Sequence, residues 1–202
     1  MIVKVCGITN REDALNAIAL GASALGFIFY KKSPRYVSPE KVQEITYFLP
    51  PFISLVGVFV NESPTFIDDV MRRCKLNLAQ LHGHEKASDF KSFNHRFIKA
   101  FAVESNADLS QIPPFQGHSS AILLDKKSPG LYGGTGETFD WGLALEAKLF
   151  SLPIILSGGI SANNVLKARE LVNPYAVDIC SAFESEPGLK DYNKMADFFK
   201  NL

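Results

Sequence analysis

Cysteine is scarce in this chain of 202 residues, and its three thiols, Cys6, Cys74 and Cys180, stand far apart. No Cys-x-x-Cys pair occurs, so a zinc site of that kind and a disulfide framework are both disfavoured, and a reducing, cytoplasmic compartment is expected. A surplus of one charge is also lacking: 21 Lys and Arg balance 21 Asp and Glu. Nucleic acid or an anionic membrane would call for a basic excess, so neither is expected as a partner. No apolar run reaches the length of a membrane span, and the chain opens on strand-like residues, so no signal peptide is expected. A Walker loop and a complete Gly-x-Gly-x-x-Gly are missing too, which leaves nucleotide binding without a signature.

What is present is an alternation. Short apolar runs at 2–6, 24–29, 53–60, 78–81, 97–103, 121–125, 154–156 and 175–179 read as buried strands. Helical patterns separate them. Thr9-Asn10-Arg11-Glu12 has the form of a capping box with Thr9 as N-cap, opening a helix that ends at Gly21. Ser38-Pro39 and Ser63-Pro64 each place a cap before a first-turn proline, for helices to about 49 and through Cys74. A weak helix is expected over 87–93, and helices over 140–150 and 190–200. The link at 105–118 holds Pro113-Pro114, so a fifth helix there should be stunted. Eight strands, each with a crossover, predict a parallel sheet, and eight such units close into a single (β/α)8 TIM barrel over 1–202. The rival, an open doubly wound sheet, would need a glycine fingerprint at its first turn, and Cys6-Gly7-Ile8-Thr9 supplies none.

In a barrel the site lies at the C-terminal strand ends. At the seventh end, Ile154-Ile155-Leu156 stops at Ser157-Gly158-Gly159, and Ser161 is expected to cap a helix over 162–172. Gly158 and Gly159 let backbone N–H groups and a positive helix end approach a phosphate monoester, or else form a tight turn without a ligand. Cys6, at the first strand end, reads as a base or nucleophile, or as a small buried hydrophobe. Asp125 ends an apolar strand, where a carboxyl can serve as a proton donor or cap the next loop. Arg35, in the stiff Ser33-Pro34-Arg35 loop, offers a planar fork to a carboxylate, or is a solvated surface residue. His82 either binds substrate or hydrogen-bonds across the barrel mouth. Gly133-Gly134-Thr135-Gly136 has the composition of a mobile lid. One base, one acid and no metal suit a proton-transfer isomerisation of a small phosphorylated substrate.

These stretches, with Val56-Gly57-Val58-Phe59, Gln80-Leu81-His82-Gly83, Phe139-Asp140-Trp141 and residues 184–191, stand in an order that resembles the phosphoribosylanthranilate isomerases of tryptophan biosynthesis. The resemblance covers nearly the whole chain. It implies an Amadori rearrangement of N-(5-phosphoribosyl)anthranilate to the 1-deoxyribulose 5-phosphate, with no cofactor. Carried onto these residues, it makes Asp125 the general acid for the furanose oxygen and Cys6 the base for the C2′ proton. Arg35 would contact the anthranilate, with His82 also on the substrate, and the backbone at Gly158, Gly159, Ser181 and Ala182 would hold the phosphate. The chain would act as a monomer or a homodimer. Two departures stand out: Ala182 where the family reads Gly, and Glu137 where many relatives place a basic residue. The alternatives are a phosphosugar barrel of the histidine-pathway or dual-substrate kind, and a non-catalytic phosphate-ligand binder. Cys6 at the first strand end and the absence of a half-barrel repeat speak against the former, and the presence of both Cys6 and Asp125 against the latter.

Overall fold

The structure, a computed structural model, describes residues 1–127 and 138–202. The Gly133–Gly136 stretch and Glu137, expected as a lid, lie outside the described residues.

Eight strands form the barrel: β1 (Ile2–Cys6), β2 (Ala24–Ile28), β3 (Ser54–Phe59), β4 (Leu78–Leu81), β5 (Phe97–Val103), β6 (Ala121–Lys126), β7 (Ile154–Leu156) and β8 (Ala176–Ile179). Each pairs in parallel with the next, and β1 pairs with β8 to close the ring. The expected TIM barrel is therefore the observed fold. Side chains alternate across its wall. Val3, Val5, Leu25, Phe27, Leu81, Ile122 and Leu124 face outward into the main core against the helices, while Ile98, Ala100, Ala121, Leu123, Ile155 and Ala176 pack together inside the barrel.

The outer helices are α1 (Arg11–Leu20), α2 (Pro39–Thr46), α3 (Pro64–Cys74), α4 (Asn106–Leu109), α5 (Gly142–Ala147), α6 (Val165–Val172) and α7 (Tyr192–Lys200). The serine caps of α2 and α3 form as expected, Ser38 Oγ accepting from Lys41 N and Ser63 Oγ from Phe66 N. The fourth crossover has only a 3₁₀ turn, Ala87–Phe90. The fifth is stunted as expected: α4 has four residues, and the prolines follow in a 3₁₀ turn, Pro113–Phe115. None of the described helices is long and apolar enough to cross a membrane.

Three local expectations are corrected. The N-cap of α1 is Asn10, whose Oδ1 accepts from Asp13 N at 2.8 Å, and Thr9 instead donates its hydroxyl to Gly188 O. Helix α6 begins at Val165 rather than near 162, because Asn164 closes the preceding turn on itself. Its Oδ1 accepts from Ser161 N at 2.9 Å, and its Nδ2 donates to Gly159 O at 2.8 Å. Finally, a hairpin, β9 (Glu184–Glu186) with β10 (Leu189–Lys190), precedes α7 and occupies residues expected to be loop and helix start.

Candidate active site

The inward-facing residues of four strands change character along the strand direction. On β1 the series is Ile2, Lys4, Cys6; on β4 it is Leu78, Gln80, then His82 just past the end; on β6, Ala121, Leu123, Asp125; on β8, Ala176, Asp178, then Cys180. Apolar side chains fill the N-terminal end, and every polar group gathers at the C-terminal mouth. Alternation therefore brings Cys6, His82 and Asp125 from three different strands into one chamber.

Beneath the mouth lies a buried ion pair. Lys4 and Asp178 are register partners, and Lys4 Nζ donates to Asp178 Oδ1 at 2.8 Å. Burial pushes the Asp178 carboxyl up to about 7, with the nearby Cys6 and Asp125 charges adding to the rise while Lys4 opposes it. Burial works against the Lys4 ammonium, yet Asp178 and Cys6 hold its proton more firmly than usual.

Cys6 is 5% exposed and lies against Gly26, its register partner on β2. A Cβ at Gly26 would come within 2.7 Å of Cys6 Sγ, so glycine there makes room for the sulfur. The Cys6 thiol is held well below its ordinary pKa, first by a hydrogen bond from Cys180, then by the Lys4 and Lys190 ammonium groups, against the opposing effect of burial. Cys180 is pushed up by the same hydrogen bond and by burial. Its Sγ lies 3.9 Å from Glu184 Oε1, and that carboxylate disfavours a second anion beside it. The pair is thus biased toward ionisation of Cys6 and protonation of Cys180.

Across the mouth, Asp125 is buried, and its Oδ1 accepts from Lys126 N at 2.8 Å. Its Oδ2 faces His82 Nε2 at 3.6 Å, just beyond hydrogen-bond length. Gln80 Nε2 lies 2.8 Å from His82 Nδ1. With the amide nitrogen donating, Nδ1 accepts and the ring proton sits on Nε2, toward Asp125. Lys99, buried on β5, supports the same corner: its Nζ donates to the carbonyls of Leu81 and Gly83 and pairs with Glu85 at 3.1 Å.

Arg35 is not a solvated surface residue. Its Nε and Nη2 form a fork on Glu184 with contacts of 2.7–3.0 Å. The Lys190 ammonium holds the other side of that carboxylate at 2.9 Å. Arg35 and Lys190 keep Glu184 below the usual carboxylate range despite the burial that opposes them. The bidentate face offered to a substrate carboxylate in the sequence reading is therefore engaged within the protein. Nη1 takes no part in the fork.

At the remaining strand ends, a shallow cavity is lined by residues 157–160 and 178–182. Gly158 and Gly159 both adopt left-handed backbone, with φ of 73° and 66°. Side chains with a Cβ disfavour two such residues in succession, which accounts for the glycine pair. Because α6 starts only at Val165, its positive end is separated from the glycine pair by residues 160–164. Ser181–Phe183 is a 3₁₀ turn. Ala182 is not among the positive-φ residues, so this position makes no conformational demand for glycine.

Four similarities now bear on this arrangement. The family model of N-(5′-phosphoribosyl)anthranilate isomerase matches residues 3–201. The chain belongs to that family. It is 47% identical over 199 residues to the N-(5′-phosphoribosyl)anthranilate isomerase of Trichlorobacter lovleyi, covering 98% of this chain and 96% of the relative. The crystal structure of phosphoribosyl anthranilate isomerase from Thermotoga maritima superposes with a TM-score of 0.92 at 43% identity, covering 100% of this chain and 98% of the other. A phosphoribosyl anthranilate isomerase in complex with reduced 1-(o-carboxyphenylamino)-1-deoxyribulose 5-phosphate superposes with a TM-score of 0.89 at 41% identity, covering 100% of this chain and 98% of the other.

Lys4, Gln80, Asp178, Cys180, Glu184 and Lys190 were not singled out from the sequence. For the first four a signal existed. Each lies two residues from a residue already chosen or from another of the set, on the same face of its strand, so period-two reading back from the strand ends finds them. Glu184 and Lys190 sit on the short hairpin, which carries no such periodicity.

Proposed function

We propose that the chain catalyses the Amadori rearrangement of N-(5′-phosphoribosyl)anthranilate, the isomerase step of tryptophan biosynthesis, with Cys6 as general base and Asp125 as general acid. The observation that carries this reading is the pairing of a cysteine, held below its ordinary pKa at the end of β1, with a carboxyl group at the end of β6, both on the inner face of one barrel mouth. Asp125 in its acid form donates a proton to the furanose ring oxygen. The C1′–O bond breaks, and the anthranilate nitrogen's lone pair forms the Schiff base. The Cys6 thiolate removes the C2′ proton, and the electrons flow into the protonated imine to give an enolamine. Tautomerisation then yields the ketone. The imine is the electron sink, so the chain's own residues need only move protons and hold the substrate.

The supporting groups have distinct tasks. Lys4, Lys190 and the Cys180 thiol keep Cys6 ionised. Gln80 fixes the His82 ring so that Nε2 faces Asp125 and the substrate beside it. Arg35, fixed by Glu184, directs Nη1 toward the aromatic carboxylate. The backbone at Gly158, Gly159, Ser181 and Ala182 holds the phosphate, as two adjacent loop turns are suited to do. The test is to generate phosphoribosylanthranilate in situ and follow the loss of its fluorescence on adding purified protein. Protein-dependent loss with formation of the 1-deoxyribulose 5-phosphate is expected, and loss no faster than without protein would overturn the proposal.

A further inference from the structure

We propose that Cys6 and Cys180 form a site of reversible oxidative modification, where a small hydroperoxide links the two thiols into a disulfide across the β1–β8 seam. The effect on catalysis rests on the reading of Cys6 as the base; the disulfide itself does not.

The register places the two sulfurs. Val5 pairs with Ile179 in the parallel β1–β8 ladder, so Cys6 and Cys180 occupy the next opposed positions. Adjacent strands lie about 4.8 Å apart, within reach of the roughly 4.4–6.8 Å between Cα atoms that a disulfide needs. Each cysteine directly follows a member of the last ladder pair, and each sulfur is near enough to alter the other's ionisation, holding Cys6 down and pushing Cys180 up. Strand β8 ends at Ile179, and Cys180 beyond it is held through its carbonyl, which accepts from Lys190 Nζ at 3.1 Å and from Phe183 N at 3.3 Å, so its side chain is outside the ladder.

The chemistry is divided between the two. Cys6, as thiolate beside Lys4 and Lys190, is the nucleophile, and Cys180, kept as thiol, is the resolving partner. Cys6 Sγ attacks one peroxide oxygen and the O–O bond breaks, giving a sulfenic acid and a hydroxide that leaves as water after taking a solvent proton. Cys180 Sγ then attacks the Cys6 sulfur. The S–O bond breaks as the S–S bond forms, and the departing hydroxide takes the Cys180 proton as a second water. The two sulfurs are oxidised by two electrons in all, and the peroxide is reduced by the same two. A dithiol reductant reverses the change. Cys74, the third thiol, provides an internal control: it is buried on α3, its Sγ hydrogen-bonds Pro39 O at 3.4 Å, and burial pushes its pKa up to about 11.

The experiment treats the folded protein with a small excess of hydrogen peroxide, removes the oxidant with catalase, alkylates in denaturant with N-ethylmaleimide, and maps the products by mass. The expected product carries one maleimide, on Cys74, with tryptic peptide 5–11 joined to peptide 170–190, and dithiothreitol restores three free thiols together with activity. In Cys180→Ser the link cannot form, Cys6 proceeds to sulfinic acid, and dithiothreitol does not restore whatever activity that variant has. Oxidised wild-type protein that still takes up three maleimides, or that carries sulfinic acid at Cys6 with no linked peptides, would overturn the proposal. So would a Cys180→Ser protein that recovers as fully as the wild type. A linked protein with undiminished activity would uphold the disulfide and overturn the assignment of Cys6 as base.

Discussion

Replacing Cys180 by alanine removes the hydrogen bond that contributes most to keeping Cys6 ionised, while the Lys4 and Lys190 charges stay in place. A hydrogen bond to a charged group is worth roughly 1.5–3 kcal/mol, so its loss should raise the Cys6 pKa back toward the ordinary thiol range. The sign follows from which form works. The thiolate is the active form, and its depressed pKa sets the acid limb of the pH profile of kcat/KM. With Cys180→Ala that limb moves to higher pH, and activity recovers above it. The shift is measured twice, by the pH dependence of kcat/KM and by the pH dependence of the rate at which iodoacetamide alkylates Cys6. Both should move together. An acid limb that stays in place in both measurements would refute the idea that Cys180 sustains the thiolate. A uniform fall at all pH values would point instead to a change of packing.

The Lys4–Asp178 pair gives a second outcome: Asp178→Ala leaves the Lys4 ammonium without its carboxylate and should lower stability in urea by about 3–5 kcal/mol, whereas Lys4→Met combined with Asp178→Leu should cost less, because neither member of the pair is left without the other. Equal losses in the two proteins would contradict the pairing. Arg35→Met should weaken an anthranilate-bearing product analogue much more than ribose 5-phosphate in calorimetric titrations, and equal weakening of both would show that Arg35 does not read the aromatic acid. Ala182→Gly should change KM by less than about threefold, since the backbone donors remain. A fall of tenfold or more would mean that the Ala182 methyl obstructs the phosphate.

The barrel was legible because its signals are periodic and redundant. Strand runs, serine–proline caps at Ser38 and Ser63, and the Pro113-Pro114 interruption each rest on local chemistry that tertiary contacts did not override. Local capping was less secure where two polar residues competed. Asn10 displaced Thr9 because Thr9 is drawn to Gly188, more than 170 residues away in sequence. Asn164 displaced Ser161 by closing a turn onto the glycine pair. The candidate site was legible at its strand ends, where Cys6, Asp125 and His82 stand. The groups that tune it were harder to see. Lys4 reads as an interruption of an apolar strand until Asp178 is known to oppose it, and the closing register of β1 with β8 is a long-range fact. The same register makes neighbours of Cys6 and Cys180. Arg35 was seen, but its partner Glu184 sits on a hairpin too short to declare itself.

The central claim is that Cys6 and Asp125 are the base and acid of one proton-transfer isomerisation. Its most direct measurement is kcat on phosphoribosylanthranilate generated in situ, for Cys6→Ala and Asp125→Asn separately, with circular dichroism confirming that each remains folded. Each general acid or base contributes roughly 10²–10⁴ in rate, so each variant should lose at least about a hundredfold in kcat. A folded variant of either kind that keeps more than about a tenth of the wild-type kcat would contradict its assigned role.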